Sequence, residues 1–473
     1  MTGLDWTVMA AYGGVVLALG AYFARQQRDA ADYFLGRHQL PWWTVMFSVV
    51  ATETSALSVI SVPGIGARSD LGFLQLAIGY LIGRIGVAAW LLPGYFRGEQ
   101  ETAYARLEAR FGPQTRRLAS GIFMVIRAMG DSVRVFATAI PLAIVTGWTI
   151  PVSVIAVVSA TLIYTWAGGL RAVVWTDLLQ LGLYVLGAVL TLAVAAQLAG
   201  GADVLLSAAR EAGKLRIFDF RISLSAPYTF LGAVVGGAML SAASHGTDHL
   251  MVQRLLATKN LQSARKALVG SGLVVVLQFA LFLLVGTALW GAGIDDGISP
   301  SDELYPRFIV EHLPAGLAGL VVAGLLAAAM STVSSSLNSL ASASTHDFYA
   351  PLSRRNDPRH LLAVGRWMTL AWAGTLAVGA LSFSSDEQPV VELALSIASI
   401  TYGALLGTYI LAGIAKRVTQ RDVILAMLLA CSAMLVVVLF KPGPLGTLAW
   451  PWYVPLGTLI TVVTGIASSW LRN

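Results

Sequence analysis

Residues 41–64 read PWWTVMFSVVATETSALSVISVPG, an apolar stretch interrupted at its middle by Ala51-Thr52-Glu53-Thr54-Ser55. A helix of roughly 20 residues crosses the roughly 30 Å of hydrocarbon in a bilayer. Lipid offers the backbone no hydrogen-bond partner, so a chain that leaves the helix at mid-depth must face protein, water or an ion. The stretch therefore predicts a broken transmembrane helix. Hydroxyls bonding back to the preceding turn are the alternative, and the glutamate among them argues against it.

The rest of the chain is built on the same scale. Of 473 residues, 56% are hydrophobic and only 12% charged, against about 25% charged in soluble domains. Mean hydropathy is +0.73. The apolar residues come in blocks of helical length without the period-two alternation of a membrane barrel, so the expected class is an all-α membrane protein embedded in a lipid bilayer. Thirteen candidate spans run over 7–24, 41–62, 71–95, 116–147, 150–168, 173–199, 228–247, 267–291, 314–344, 362–383, 389–414, 422–440 and 451–470. The first block, Trp6 to Phe23, has no basic stretch before it and no small-residue cleavage site after it, and reads as a retained span. Cys431 is the single cysteine, so no disulfide forms within the chain.

The formal charge of +6 is not a nucleic-acid signal, because the basic residues sit in short loops. Placing Met1 outside puts 21 Lys and Arg in or beside inner loops, Arg254 among them, and seven in outer loops. That asymmetry predicts an inner (plasma) membrane protein with its N-terminus outside and its C-terminus in the cytoplasm. The long outer loops 200–227 and 292–313 have room for short surface helices but for no soluble domain, and no obligate protein partner is evident.

Two further places break the membrane rules, where polar groups are costly and mark function or a satisfied pair. In the ninth span, GLAGLVVAGLLAAAMSTVSSSLNSLASASTHDFY, Ser331, Ser334, Ser335, Asn338 and Ser342 fall at i, i+3, i+4, i+7 and i+11, one stripe of a helix. Hard cations take oxygen ligands, but small residues also serve close helix contact, and the stripe alone leaves both open. In the sixth, GGLRAVVWTDLLQ, Asp177 stands just inside an apolar helix, where a helix dipole also favours it. Elsewhere Asp131 and Arg134 are spaced to pair, Arg84 is expected to snorkel, and Gly232 with Gly236 and Gly403 with Gly407 are spaced for close helix contact. No Walker, HExxH, GxSxG or CxxC pattern is present, which argues against an ATP-driven pump or a common hydrolase.

Five segments in order then resemble the sodium:solute symporter family: DYFLGRHQLPWWTVMFSVVATETSA, GYLIGRIG with LLPGYFRGEQETAYARLEARFG, YTWAGGLRAVVWTDLLQ, GTDHLMVQRLLATKN and AAAMSTVSSSLNSLASASTHDFY. The resemblance runs from about Asp32 to Gly465. It implies a LeuT-like fold of two inverted five-helix repeats, each opening on a broken helix, with the binding site at mid-membrane between them. The expected boundaries are 1–40 for the first span and inner loop, 41–199 for the first repeat, 200–227 for an outer loop, 228–414 for the second repeat, with its broken helix near Ser241, Ser244, His245 and Gly246, and 415–473 for two further spans.

The resemblance implies symport of a small polar solute with sodium by alternating access. It places an outer sodium on the carbonyls of Ala51, Thr54 and Ala328 and the hydroxyls of Ser331 and Thr332. A second, inner sodium maps to Asp177, Ser331, Ser334 and Ser335, giving two ions per cycle. Solute-facing positions correspond to Ser55, Ser58, Phe73, Gln75, Ser241, Ser244 and His245, with Asp131 and Arg134 on the fourth span. Sialic-acid members hold the solute carboxylate with an arginine on that span. Here the matching place is near Gly130, with Arg127 and Arg134 a turn away on either side, and that departure weakens a sialic-acid reading. Proton coupling through Glu53, Asp177 and Asp131 is the rival within transporters. A membrane-embedded enzyme using His245 near Asp248 is the remote one.

Overall fold

The computed structural model describes residues 2–25, 29–97, 102–294, 303–355, 357–383 and 390–471. Arg28 and Arg472 of the basic-loop count lie outside them. The described chain is helical, with one isolated bridge between Leu40 and Thr258 and no strand.

Among the described residues, ten helices are long and apolar enough to cross a membrane. An eleventh crossing is the pair Trp42–Glu53 and Ala56–Arg68, bent by 65° at the break. The element Ile150–Leu198 has 49 residues, far more than one bilayer needs, and divides at Gly169, whose φ of +55° is left-handed. A side chain there would also strike the Tyr33 carbonyl, 2.6 Å from an added Cβ. The shorter apolar helix Phe230–Gly246 is followed, across Thr247 and Asp248, by His249–Leu256. These elements account for all thirteen expected spans. The expected break in span two is present at Thr54–Ser55, whereas in span seven the helix runs unbroken through Ser241, Ser244, His245 and Gly246 and the interruption falls at Thr247–Asp248, at the end of the expected span. The stretches 200–227 and 292–313 carry the short helices Ala202–Glu211 and Leu304–His312.

Span nine, Leu317–Ser353, is the most enclosed, and every residue from Ala327 to Ala343 is buried. Its hydroxyl stripe thus faces other helices, not lipid. Faces turned outward carry exposed Leu, Ile, Val and Trp, such as Leu277, Trp367 and Leu459, which is the cheap arrangement when the solvent is hydrocarbon.

Close contact between spans is built on glycine. Cβ atoms added at Gly66 and Gly286 would lie 2.3 Å from the Leu283 carbonyl and 1.9 Å from the Pro63 carbonyl, so Ala56–Arg68 and Leu261–Gly291 touch backbone to backbone. Gly403 meets Gly457 and Gly407 meets Thr461 in the same way, and Gly236 lies against Pro451. Gly286→Ala is expected to destabilise the protein by about 1–3 kcal/mol, the usual range for overfilled cores. Thermal unfolding in detergent, compared with Gly374→Ala, which faces open space, checks this.

Candidate functional site

The break in span two follows from its hydrogen bonds. In an unbroken helix the Ser55 amide would donate to the Ala51 carbonyl. It donates instead to the Glu53 carbonyl, 3.1 Å away, while the Thr54 amide still reaches Val50 at 3.0 Å. The Ala51 carbonyl is thereby released from the helical ladder at mid-membrane. Gln278 Nε2 donates to Thr54 Oγ1 at 2.6 Å and fixes the break against span eight.

Span nine lies across this break. Thr332 Oγ1 donates to the Ala328 carbonyl at 3.2 Å, and Thr52 Oγ1 lies 3.1 Å from Ser335 Oγ. One turn from Thr332, Asp177 is wholly buried and accepts from Ser331 Oγ at 2.6 Å, Ser48 Oγ at 2.5 Å and Thr52 Oγ1 at 3.5 Å. Ser334 and Ser335 both donate to the Ser331 carbonyl, at 3.0 and 2.6 Å. Ser331, Ser334 and Ser335 are thus linked to Asp177 and, through it and Thr52, to span two beside its break, with Thr332 bonded to Ala328 on the same helix.

The stripe divides by position. Its upper part, Ser331 to Ser335, clusters about Asp177. Its lower part is taken up by helix His249–Leu256, with Asn338 Oδ1 accepting from Gln253 Nε2 at 2.8 Å and Ser342 Oγ 3.1 Å from His249 Nε2. The cluster about Asp177 and the contact with His249–Leu256 occupy successive stretches of one face and meet at Ser335, which also accepts from Arg254 of that helix.

Beside the break is a cavity of about 100 Å³, lined in part by Glu53, Ser55, Ser58, Phe73, Arg134, Ser241, Ser244 and His245. Thr52, Tyr80, Arg127, Met251, Phe279 and Tyr402 also line it. Seven of the nine expected solute positions thus share this cavity. Two do not. Gln75 is buried away from it, donating to the Tyr228 carbonyl at 2.8 Å and accepting from the Asp219 amide at 3.1 Å, so it ties span three to the outer loop. Asp131 turns from the cavity and is satisfied by Arg127 at 2.9 Å, Arg134 at 2.5 Å and the Ser336 hydroxyl. A carboxylate between two arginines is more stable there than facing a solute of unknown charge.

Three other readings change. Arg84 does not snorkel. It is wholly buried, paired with Glu53 and bonded to Ser271 Oγ at 2.6 Å. Arg254, counted with the inner loops, is wholly buried beside Asp177, 3.4 Å from its Oδ2. His245 does not engage Asp248. Its Nδ1 is 2.8 Å from Ser244 Oγ and its Nε2 is 3.8 Å from Glu53, while Asp248 accepts from Tyr402 at 2.7 Å and Arg127 at 3.4 Å. Sequence reasoning missed Ser48, Thr52 and Arg254 around Asp177. Ser48 and Thr52 are four apart on one face of span two, a signal the polar break overshadowed.

Comparison with known proteins bears on this arrangement. The sodium:solute symporter family model matches residues 33–430. The sodium/sialic acid symporter NanT of Aliivibrio fischeri is 28% identical over 471 residues, covering 98% of this chain and 92% of the relative. The human sodium/iodide cotransporter is 30% identical over 401 residues, covering 81% of this chain and 61% of the cotransporter. A sodium-coupled sialic acid symporter, solved in a substrate-bound outward-open state, superposes with a TM-score of 0.90 at 25% identity, covering 99% of this chain and 98% of that one. A family-model match over residues 33–430, most of the chain, means that this chain belongs to the sodium:solute symporter family.

Proposed function

We propose that this chain moves a small solute bearing an acidic group across the bilayer together with two sodium ions, by alternating access. Sodium-coupled symport is the activity of its family and of the relatives compared. The observation behind the ion assignment is the released Ala51 carbonyl in a helix whose next residue, Thr52, meets Ser335 on the hydroxyl face of span nine. In this reading the outer sodium is bound by the carbonyls of Ala51, Thr54 and Ala328 and the hydroxyls of Ser331 and Thr332. The inner sodium is bound by Asp177, Ser331, Ser334 and Ser335. Ion binding at the break holds span two to span nine, and Ser55, the next residue, forms the wall of the solute cavity. Ion and solute sites are thus separated by a single turn of chain, and each favours the conformation the other needs. Two ions would draw on the membrane potential twice, at roughly 2.3 kcal/mol per charge per 100 mV.

The arginines of the cavity support an acidic solute, with Glu53, which also lines it, neutralised by Arg84. Arg127 and Arg134 line it from span four and share Asp131, and Arg134 keeps 20% of its side chain accessible. Sialic acid and iodide, the solutes named for the relatives, are an acid and an anion. In proteoliposomes with an inward sodium gradient, organic acids should be taken up and should compete with one another, while their uncharged amides should not. Equal competition by the amides would remove the acid from the proposal. Arg134→Gln is expected to raise the KM for that acid by about tenfold to a hundredfold, the scale of one hydrogen bond to a charged group, with the sodium midpoint little moved.

The pairings weigh against proton coupling. Glu53, Asp177 and Asp131 each pair with an arginine, and protonating Glu53 would leave the wholly buried Arg84 without its counter-charge. Uptake driven by a pH gradient without sodium would reverse this conclusion. We further assign the repeats to 41–199 and 228–414, with the N-terminus outside, on the two breaks and the basic loops.

A further inference from the structure

We propose that the guanidinium of Arg254 and the inner sodium ion are alternative occupants of one buried cation position, so that Arg254 leaves Asp177 when that sodium binds. The inference rests on reading Asp177, Ser331, Ser334 and Ser335 as the inner site. Arg254 is wholly buried. Its Nη2 lies 3.4 Å from Asp177 Oδ2 and donates to Ser335 Oγ in a short bond. Its Nε donates to Ser48 Oγ at 3.0 Å and its Nη1 to the Leu250 carbonyl at 3.1 Å. The guanidinium therefore engages two of the four groups that would hold the ion.

Charge makes the two occupants exclusive. Asp177 and Arg254 together are neutral, and Asp177 is the one carboxylate that Arg254 reaches among the described residues. A sodium ion added beside the bound guanidinium would leave this dry cluster with an unbalanced positive charge, which burial disfavours strongly. With the guanidinium withdrawn, sodium restores neutrality, and the hydroxyls of Ser331 and Ser335 turn their lone pairs to it.

The helix that bears Arg254 is held in place independently. His249–Leu256 is fixed to span nine through Gln253 with Asn338 and His249 with Ser342. Withdrawal is therefore a swing of the long Arg254 side chain about a fixed helix. The exchange gives Asp177 a partner at every stage. When sodium departs, Arg254 returns, and the sodium-free carrier reorients without an unpaired carboxylate in the membrane.

The test is sodium titration of the purified full-length chain in detergent by calorimetry. Arg254→Gln is expected to tighten the inner sodium by at least about tenfold, because a like charge has been removed from the site. Arg254→Lys, whose single ammonium does not span Asp177 and Ser335 as a guanidinium does, should shift it less, in the same direction. Asp177→Asn should leave one ion, whose affinity is unmoved by adding Arg254→Gln. Two ions bound by Arg254→Gln no more tightly than by wild type would overturn the exchange and spare the two-site reading. A single ion in both wild type and Arg254→Gln, unaffected by Asp177→Asn, would overturn the two-site reading and the exchange with it. One ion in wild type and two in Arg254→Gln would support the exchange, with the guanidinium as the resident occupant. If Arg254→Gln does not fold, Arg254→Lys decides: tighter sodium supports the exchange, and an unchanged midpoint overturns it.

Discussion

Proteoliposomes carrying the chain with Ser331→Ala and Thr332→Ala are expected to lose sodium-driven uptake, with the sodium midpoint raised by at least about a hundredfold if any response survives. Ser331 is the one side chain assigned to both ion sites, and Thr332 completes the outer one. Each lost oxygen ligand to a charge is worth about 1.5–3 kcal/mol, and the two removals act on the same ion, so their effects compound. The structure supplies the control. Thr332 Oγ1 bonds to the Ala328 carbonyl of its own helix, so Thr332→Ser by itself, with Ser331 intact, keeps the ligand and should retain most of the response. Ser331 also donates to Asp177. Its loss is therefore read against Thr332→Ala alone, which touches the outer ion and leaves the Asp177 cluster intact. Uptake that still follows the sodium gradient in the double variant would remove the assignment of both residues.

Breaking the Glu53–Arg84 pair should be the most damaging single change to stability. Glu53→Ala is expected to destabilise the protein by about 3–5 kcal/mol, because it leaves a wholly buried guanidinium without its counter-charge. The Ser271 hydroxyl remains to Arg84, but a hydroxyl does not balance a charge. Glu53→Leu combined with Arg84→Leu should recover most of the loss, since replacing a buried pair with apolar groups is often neutral or stabilising. Thermal unfolding of the purified protein decides it, and a single variant as stable as wild type would show that the pair is not holding spans two and three together. Stability is the right reading here because Glu53 also lines the solute cavity, where uptake alone would mix two effects.

These two predictions also mark what could be read from the chain. Span number and the break in span two were legible because bilayer thickness and backbone hydrogen bonding leave few choices, and both act on local sequence. The polar stripe on span nine was legible as a face, again a local property. Its partners were not. Glu53 and Arg84 are 31 residues apart and Asp177 and Arg254 are 77 apart, and nothing local says which charge a buried charge will meet. Arg254 was misassigned for a specific reason. It lies in a short amphipathic helix beside the basic residues Lys259, Arg265 and Lys266, so by composition it looks like loop. Gln75 and Asp131 lie off the cavity because their side chains are claimed by Asp219 and Tyr228 and by two arginines, partners far away in sequence or a turn along the same helix.

The glycine contacts between the outer half of span two and span eight have a mechanical consequence. Ala56–Arg68 has 13 residues, a rod about 20 Å long at 1.5 Å per residue, pivoted at Thr54–Ser55. A tilt of about 10° at that pivot carries the far end through about 3 Å, so the break amplifies as a lever does. Because Gly66 and Gly286 leave no gap against Leu283 and Pro63, the rod has no free swing of its own. A tilt at the break would carry span eight with it, so that a small adjustment among the oxygens at the fulcrum would be delivered at the far end as the stroke of two helices.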